Sequence, residues 1–275
     1  MFSNEQLFEF VEKLHLRCEN ALVLKGSVSL NVRVAENNAI EECRLTEDVD
    51  FYLRDSMSFH TFKKIVQEVM VELSDNALTL KQVRTPSKRS SGSIEILSND
   101  FPIFAIDVDL YVPQVTVRSN NELFSGELTE LEALVADKID ALSTERVLGR
   151  VKDIYDLYLV SKYFQIEYDK IKTYFDTIPK SGKKQEMQQN RTLFSDFKEN
   201  YEALHEAYLE RNDIIIKPDF EQVYLGARAM VKPFLANEEE IKDPKAIWSP
   251  KDQTWRVDFG FGNPLKHQTE KMNKF

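Results

Sequence analysis

The chain has 275 residues, 42% of them hydrophobic, which suffices for one large core or two ordinary ones. Its 46 acidic and 36 basic residues leave a formal charge of −10, so the field of the whole chain does not draw in nucleic acid and any such contact needs a local basic patch. Only two cysteines are present, no segment nears the roughly 18 consecutive apolar residues of a membrane span, and the opening MFSNEQLFEFVEK carries acids where a signal peptide carries Lys or Arg, so a reducing cytoplasm is the expected compartment.

Apolar spacing predicts a helix over residues 4–17 and a short buried strand over 21–25. Gly26-Ser27, directly after Lys25, interrupts that strand before another apolar stretch. Gly26 permits a close backbone approach to a ligand and the Ser27 hydroxyl can donate to a phosphate oxygen, although an ordinary turn reads the same way. The next strand, over 47–53, lies in the run TEDVDFYL of residues 46–53. Alternation places Asp48, Asp50 and Tyr52 on one face and Val49, Phe51 and Leu53 on the other. Two neighbouring carboxylates repel unless a cation, a proton or a base lies between them, and a solvated edge strand is the plain alternative.

A helix follows over 59–73, then strands over 78–84, 93–97 and 102–112. The last repeats the earlier arrangement: in FAIDVDL, Phe104, Ile106, Val108 and Leu110 share one face, and Ala105, Asp107 and Asp109 the other. If the two acidic strands are neighbours, Asp107 or Asp109 joins Asp48 and Asp50. Such an oxygen-rich set suits Mg²⁺, and a pair of these ions can hold the attacking and leaving oxygens of a phosphoryl displacement.

Thr129 and Glu132 have capping-box spacing, which predicts a helix starting at Glu130. Leu131, Leu134, Val135 and Leu142 recur at helical intervals and place Lys138 on the inward stripe, where a lysine either snorkels or reaches a triphosphate. The next helix carries Asp153 and Asp156 on one face, preceded by Arg146, Arg150 and Lys152, with mutual ion pairing as the simple reading. Helical patterns continue over 194–209 and 220–235, and polar residues 179–190 read as an exposed connection. Strands first and helices later predict an α+β domain over 1–165, holding 27 of the 46 acids, followed by a helical domain over 166–275. The four histidines lack ligand spacing, which argues against zinc, and no nucleophile elbow or dinucleotide fingerprint is present.

In order and context, several blocks resemble the AbiEii family of nucleotidyltransferases, a branch of the DNA polymerase β-like superfamily that supplies toxins of abortive-infection toxin–antitoxin systems. They are Lys25-Gly26-Ser27, the RLTEDVDF run from Arg44, Ile106-Asp107-Val108, the ADKIDAL run from Ala136 and the RVKDIYDLY run from Arg150. Together they span about residues 20–165. One departure stands out, since Ser27 occupies the place of a second glycine common in the family; the superfamily's Gly-Ser pair fits it.

The resemblance implies a nucleotidyltransferase-fold mixed sheet flanked by helices, followed by a C-terminal helical bundle that includes Trp248 and Trp255. It implies transfer of NMP from an NTP to a hydroxyl, with release of pyrophosphate, at a two-metal Mg²⁺ site. Asp48 and Asp50 would bind the metal with Asp107 or Asp109 as the third acid, the hydrophobic-acidic-hydrophobic pattern favouring Asp107. Lys25, Gly26, Ser27, Lys138, Arg150 and Asp156 would hold the nucleotide. Asp153, with Asp156 near it, would orient Lys138 or support the base or the acceptor. RNA, at a tRNA 3′ end, is the expected acceptor and a cognate antitoxin an expected partner; the alternative is a catalytically inactive binding or scaffold protein on the same fold. A basic surface for RNA is expected from Lys81, Arg84, Lys88 and Arg89, joined by Lys183 and Lys184.

Overall fold

The computed structural model describes residues 3–73, 78–87, 90–110, 115–120, 122–142, 148–177, 197–235 and 240–257. Helix α1 (Asn4–Cys18) opens with a capping box, in which the Ser3 hydroxyl accepts from the Gln6 amide while the Gln6 side chain accepts from the Ser3 amide. Strand β1 (Leu22–Lys25) leads directly into α2 (Gly26–Glu36), a helix not anticipated from the sequence. Its polar residues Ser29, Asn31 and Arg33 are buried and interrupt the apolar stripe. Their donors are met inside: Arg33 donates to the Ser29 and Thr129 carbonyls, and Asn31 to the Arg44 carbonyl, while the Asn31 side-chain oxygen has no partner among the described residues.

Strand β2 (Asp48–Leu53), helix α3 (Phe59–Leu73), and strands β3 (Leu78–Arg84), β4 (Gly92–Ser98) and β5 (Phe101–Leu110) fall where hydrophobic period predicts them. Strands β6 (Thr116–Asn120) and β7 (Ser125–Thr129) were not anticipated. The seven form one mixed sheet in the order β3-β4-β5-β2-β1-β7-β6. At its centre β2 runs antiparallel to β1 and parallel to β5. Val49, Phe51, Leu53, Ile106 and Val108 turn to one face and pack under α1 and α3 with Leu7, Phe10, Phe62 and Val66. That burial leaves the acidic residues of β2 and β5 on the opposite face.

Helices α4 (Leu131–Ala141), α5 (Val151–Tyr163), α6 (Tyr168–Thr177), α7 (Phe197–Leu209) and α8 (Phe220–Val231) complete the helical complement of the described residues. The capping box expected at Thr129 does not form: Thr129 ends β7, its hydroxyl has no partner, Glu130 caps the helix without a side-chain bond, and Glu132 instead accepts from the Glu167 amide. Helix α8 stops where Pro233 follows in a 3₁₀ turn, since proline brings no amide hydrogen to continue it. A second core joins Leu30 and Val34 of α2 to Leu134, Ile154, Leu157, Tyr208, Phe220, Tyr224 and Trp248.

Trp248 and Trp255, expected in a helical tail, lie instead on a two-stranded ribbon, β8 (Ala246–Ser249) with β9 (Thr254–Val257). The ribbon is pinned to the helices because the indole N–H of Trp248 donates to the Ser161 carbonyl and that of Trp255 to the Met230 carbonyl. Among the described residues no helix is long and apolar enough to cross a membrane. Residues 179–190, Lys88, Arg89, Arg146, Lys183 and Lys184, singled out from the sequence, lie outside the described residues.

Candidate active site

The acidic face takes its geometry from strand register. Asp50 sits opposite Asp107 on the parallel neighbour, Asp48 opposite Ala105, and Tyr52 opposite Asp109. Adjacent strands lie about 4.8 Å apart, so Asp50 and Asp107 are near neighbours on one surface. On the other side of β2, Lys25 is the register partner of Asp50. Its ammonium lies 2.5 Å from Asp109 and 4.8 Å from the centre of the Tyr52 ring. Burial would lower the Lys25 pKa, but Asp50 and Asp109 more than offset it and hold the ammonium above its usual range.

Asp50 carries the opposite strain. Its carboxyl is pushed up to about 6, first by desolvation and then by the charges of Asp48 and Asp107, against the pull of Lys25 and Lys138. Gly26 closes over it with φ +66°, and a Cβ at that position would lie 2.3 Å from Asp50 Oδ2. Glycine here meets two demands together, a left-handed backbone and close contact with a carboxylate.

Beside this acidic floor lies a buried ionic network. The Ser27 hydroxyl, in the first turn of α2, donates to Asp156 Oδ2 at 2.8 Å. Lys138 reaches Asp156 Oδ2 at 2.6 Å, Asp153 Oδ1 at 3.1 Å and the Ser27 hydroxyl at 3.4 Å. Arg150 meets the other oxygen of Asp153 at 3.4 Å. Asp156 is wholly buried and its carboxylate is held well below the usual range: desolvation works against this, and Arg44 and Lys138 overcome it. Desolvation likewise opposes charge on Lys138, yet Asp156 and Asp153 hold its pKa up. Asp156 and Lys138 are therefore each held in the charged form. A buried pair of this kind is costly to break, because the partner left behind is an uncompensated charge.

Every residue singled out for the site thus gathers where β1, α2, β2, β5, α4 and α5 meet. The contacts of Arg44 had no signal in the spacing, although the residue stands in a recognised block. Its Nε donates to Asp156 Oδ1 at 2.9 Å, one terminal nitrogen contacts Ser27 and Asp156 Oδ2, and the other lies 3.5 Å from Asp213. Asp213, in the α7–α8 connection, was not anticipated at all.

Two clefts meet at Asp48. One, of about 290 Å³, runs between Arg44, Leu45 and Asp48 on one side and Glu210, Arg211, Asn212 and Asp213 on the other, with Lys152 on its wall. The second, of about 510 Å³, lies over β5 with Asp48 and Asp107 at its edge and Pro102, Ile103 and Phe104 along its wall. Among the described residues no three His, Cys, Asp or Glu side chains converge into a ready-made metal cage. The donor chemistry fits a hard divalent cation nonetheless: Asp48, Asp50 and Asp107 supply only carboxylate oxygen, and a cation would relieve the repulsion from Asp48 and Asp107 that adds to desolvation in raising the Asp50 pKa.

The profile of the nucleotidyl transferase AbiEii toxin family, type IV toxin–antitoxin system, matches residues 14–226. No curated protein matches the chain. Among solved structures it is similar to MenT4, a nucleotidyltransferase toxin from Mycobacterium tuberculosis H37Rv, at 14% identity and a TM-score of 0.40, covering 62% of each chain. It is also similar to the Megavirus polyadenylate synthase, at 12% identity and a TM-score of 0.31, covering 100% of this chain and 49% of that one. The chain thus spans less than two-thirds of the length of either structure.

Proposed function

The chain belongs to the AbiEii family of nucleotidyl transferase toxins, and from that premise we propose that it transfers NMP from an NTP to a hydroxyl acceptor with release of pyrophosphate. The observation that carries this reading is the juxtaposition of a three-carboxylate face with a buried, fully ionised Lys138–Asp156–Arg44 network across Gly26 and Ser27. Asp48, Asp50 and Asp107 would hold Mg²⁺, as one ion or two. Asp107 rather than Asp109 completes the set, because register puts it beside Asp50 while Asp109 is paired with Lys25. When bound, the cation supplies charge neutralisation for the phosphates and the attacking oxygen.

The residues of the chain do the positioning. Gly26 brings the first turn of α2 against the acidic floor, so that its amides, which no side chain caps, face the phosphates. Lys138, fixed by Asp153 and Asp156, offers a charged ammonium to the triphosphate, and the Ser27 hydroxyl and Arg150 stand beside it. Catalysis of this kind rests on preorganised charge rather than on a covalent intermediate.

RNA, at a tRNA 3′ end, is the acceptor we propose, with an antitoxin as genetic partner and the cytoplasm as the place of action. On a chain of net charge −10 the contact needs local cations. Lys81 and Arg84 are exposed on edge strand β3; Lys81 pairs with Glu95, and Arg84 bonds the Ser91 carbonyl.

Calorimetry tests the donor half of the proposal. NTP should bind with Mg²⁺ and not with EDTA, and Asp48→Asn or Asp50→Asn should abolish both binding and transfer while the protein stays folded. No NTP binding under either condition would favour a catalytically inactive scaffold.

A further inference from the structure

The connection between α7 and α8 reaches back across the sequence to hold the segment that feeds the acidic strand. The Leu45 amide donates to the Asp213 carbonyl at 2.7 Å, which ties the backbone three residues before Asp48 to this connection. The Asp213 side chain is buried, at 9% exposure, and lies between two guanidinium groups. Arg211 grips it bidentately, Nε to Oδ1 and a terminal nitrogen to Oδ2, each at 2.6 Å. Arg44 approaches the same Oδ2 at 3.5 Å, a distance that makes an ion pair rather than a strong hydrogen bond.

From these contacts we infer that Asp213 is a positioning residue for the reaction, acting through Arg44 on Ser27 and on the Asp156–Lys138 pair. Asp156 is shared by two cations, Arg44 and Lys138, and Arg44 is shared by two carboxylates, Asp156 and Asp213. Because a guanidinium is a rigid planar fork, its roll is set by what holds each nitrogen. With one terminal nitrogen held between Asp213 and the carbonyl of Leu45, the residue whose amide donates to Asp213, the other is aimed at the Ser27 hydroxyl and Nε at Asp156. Removing the charge of Asp213 leaves two guanidiniums side by side without their common anion. Arg211 then repels Arg44, whose fork is free to roll about its existing bonds to Asp156, which shifts the share of Asp156 left to Lys138. The effect reaches Lys138 and Ser27 although Asp213 touches neither in the described contacts.

The same residues wall the cleft that opens beside Asp48. The connection therefore sets the width of one approach to the acidic floor as well as the aim of Arg44. This gives the helical second core a part in the chemistry beyond support of the sheet.

The test compares Asp213→Asn and Asp213→Glu with the unaltered full chain, using two readouts. The first is the Nε–H resonance of Arg44, assigned by its loss in Arg44→Lys, in protein labelled with ¹⁵N-arginine. The second is steady-state nucleotidyl transfer, an arm that rests on the function proposed above. Asp213→Asn should shift the Arg44 resonance and accelerate its hydrogen exchange at least fivefold. It should also lower kcat at least tenfold with KM for the NTP changed less than threefold, and Asp213→Glu should recover most of the loss. A purely structural residue would lower the melting temperature and the folded yield while leaving kcat per folded molecule and the Arg44 resonance unchanged, and that result would overturn the inference. If the unaltered chain transfers no nucleotide, the functional proposal fails, and the Arg44 resonance alone decides whether Asp213 positions Arg44. If Asp213→Asn does not fold, Arg211→Lys, which loosens the bidentate grip but keeps both charges, should move the same resonance in the same direction, and an unmoved resonance there overturns the inference.

Discussion

Replacing Gly26 with alanine tests the contact between the phosphate turn and the acidic strand. The backbone at Gly26 has φ +66°, a conformation that costs an L-residue with a Cβ about 1–2 kcal/mol. At about 2–4 °C per kcal/mol for a protein of this size class, the melting temperature should fall by about 2–8 °C. The added methyl would stand 2.3 Å from Asp50 Oδ2, 3.1 Å from Cγ and 3.2 Å from Cβ. Turning the carboxylate alone cannot relieve all three contacts, so Asp50 or the first turn of α2 must shift by about 1 Å to reach ordinary packing distance. A misplacement of about 1 Å at a reacting centre can cost on the order of a hundredfold in rate. Differential scanning fluorimetry and a radiolabelled transfer assay measure the two effects separately. Gly26→Ala that melts with the parent and turns over at the same rate would refute both the strain and the role of this contact.

Lys138→Met should destabilise the protein by about 3 kcal/mol in urea denaturation, because it leaves Asp156 and Asp153 with one cation fewer in a buried site; Arg44 still on Asp156 keeps the loss near the low end of its range. The raised pKa of Asp50, about 6, means that the folded state holds a proton which the unfolded chain releases, so without divalent cations its penalty grows as pH rises from about 4 through about 6. Asp50→Asn should therefore stabilise the metal-free protein by about 2–3 kcal/mol at pH 8, with the gain vanishing near pH 4, and a gain independent of pH would contradict the assignment. Neutralising Lys81 and Arg84 together should weaken RNA labelling and flatten its salt dependence, by about 0.7 in log–log slope for each single-strand phosphate that is no longer neutralised, while calorimetric NTP affinity stays unchanged.

The parts of the fold legible in the sequence were those whose signal is local. Alternation in β2 and β5 and the apolar stripe of α3 each arise within one element, and each matches the structure. The pairing of Asp50 with Asp107 is a fact of register between strands far apart in sequence, so the sequence indicated the acidic faces but not which acids meet. Strand β6 escaped notice because it alternates weakly, with Val117 and Arg118 both exposed and Ser119 the buried member, and β7 because its inward positions offer only Gly126 and Leu128 as apolar residues. Helix α2 was hidden by buried polar residues whose partners lie elsewhere in the chain. Lys138 was legible as an inward lysine, but Arg44 and Asp213 take their places from contacts made across 112 and 169 residues of chain. The tryptophans were expected in a helical tail, and their ribbon was not legible because each indole is satisfied by a carbonyl on a distant helix.

The most direct test of the proposed chemistry is to follow the two ends of the triphosphate at once. The purified chain is incubated with Mg²⁺, RNA and each NTP labelled at either the α or the γ phosphate. Nucleotidyl transfer predicts α label on the acceptor and γ label in pyrophosphate, both lost in Asp48→Asn and in Asp50→Asn. Gamma label on the acceptor, or release of γ label as free phosphate with no labelled acceptor, would contradict it.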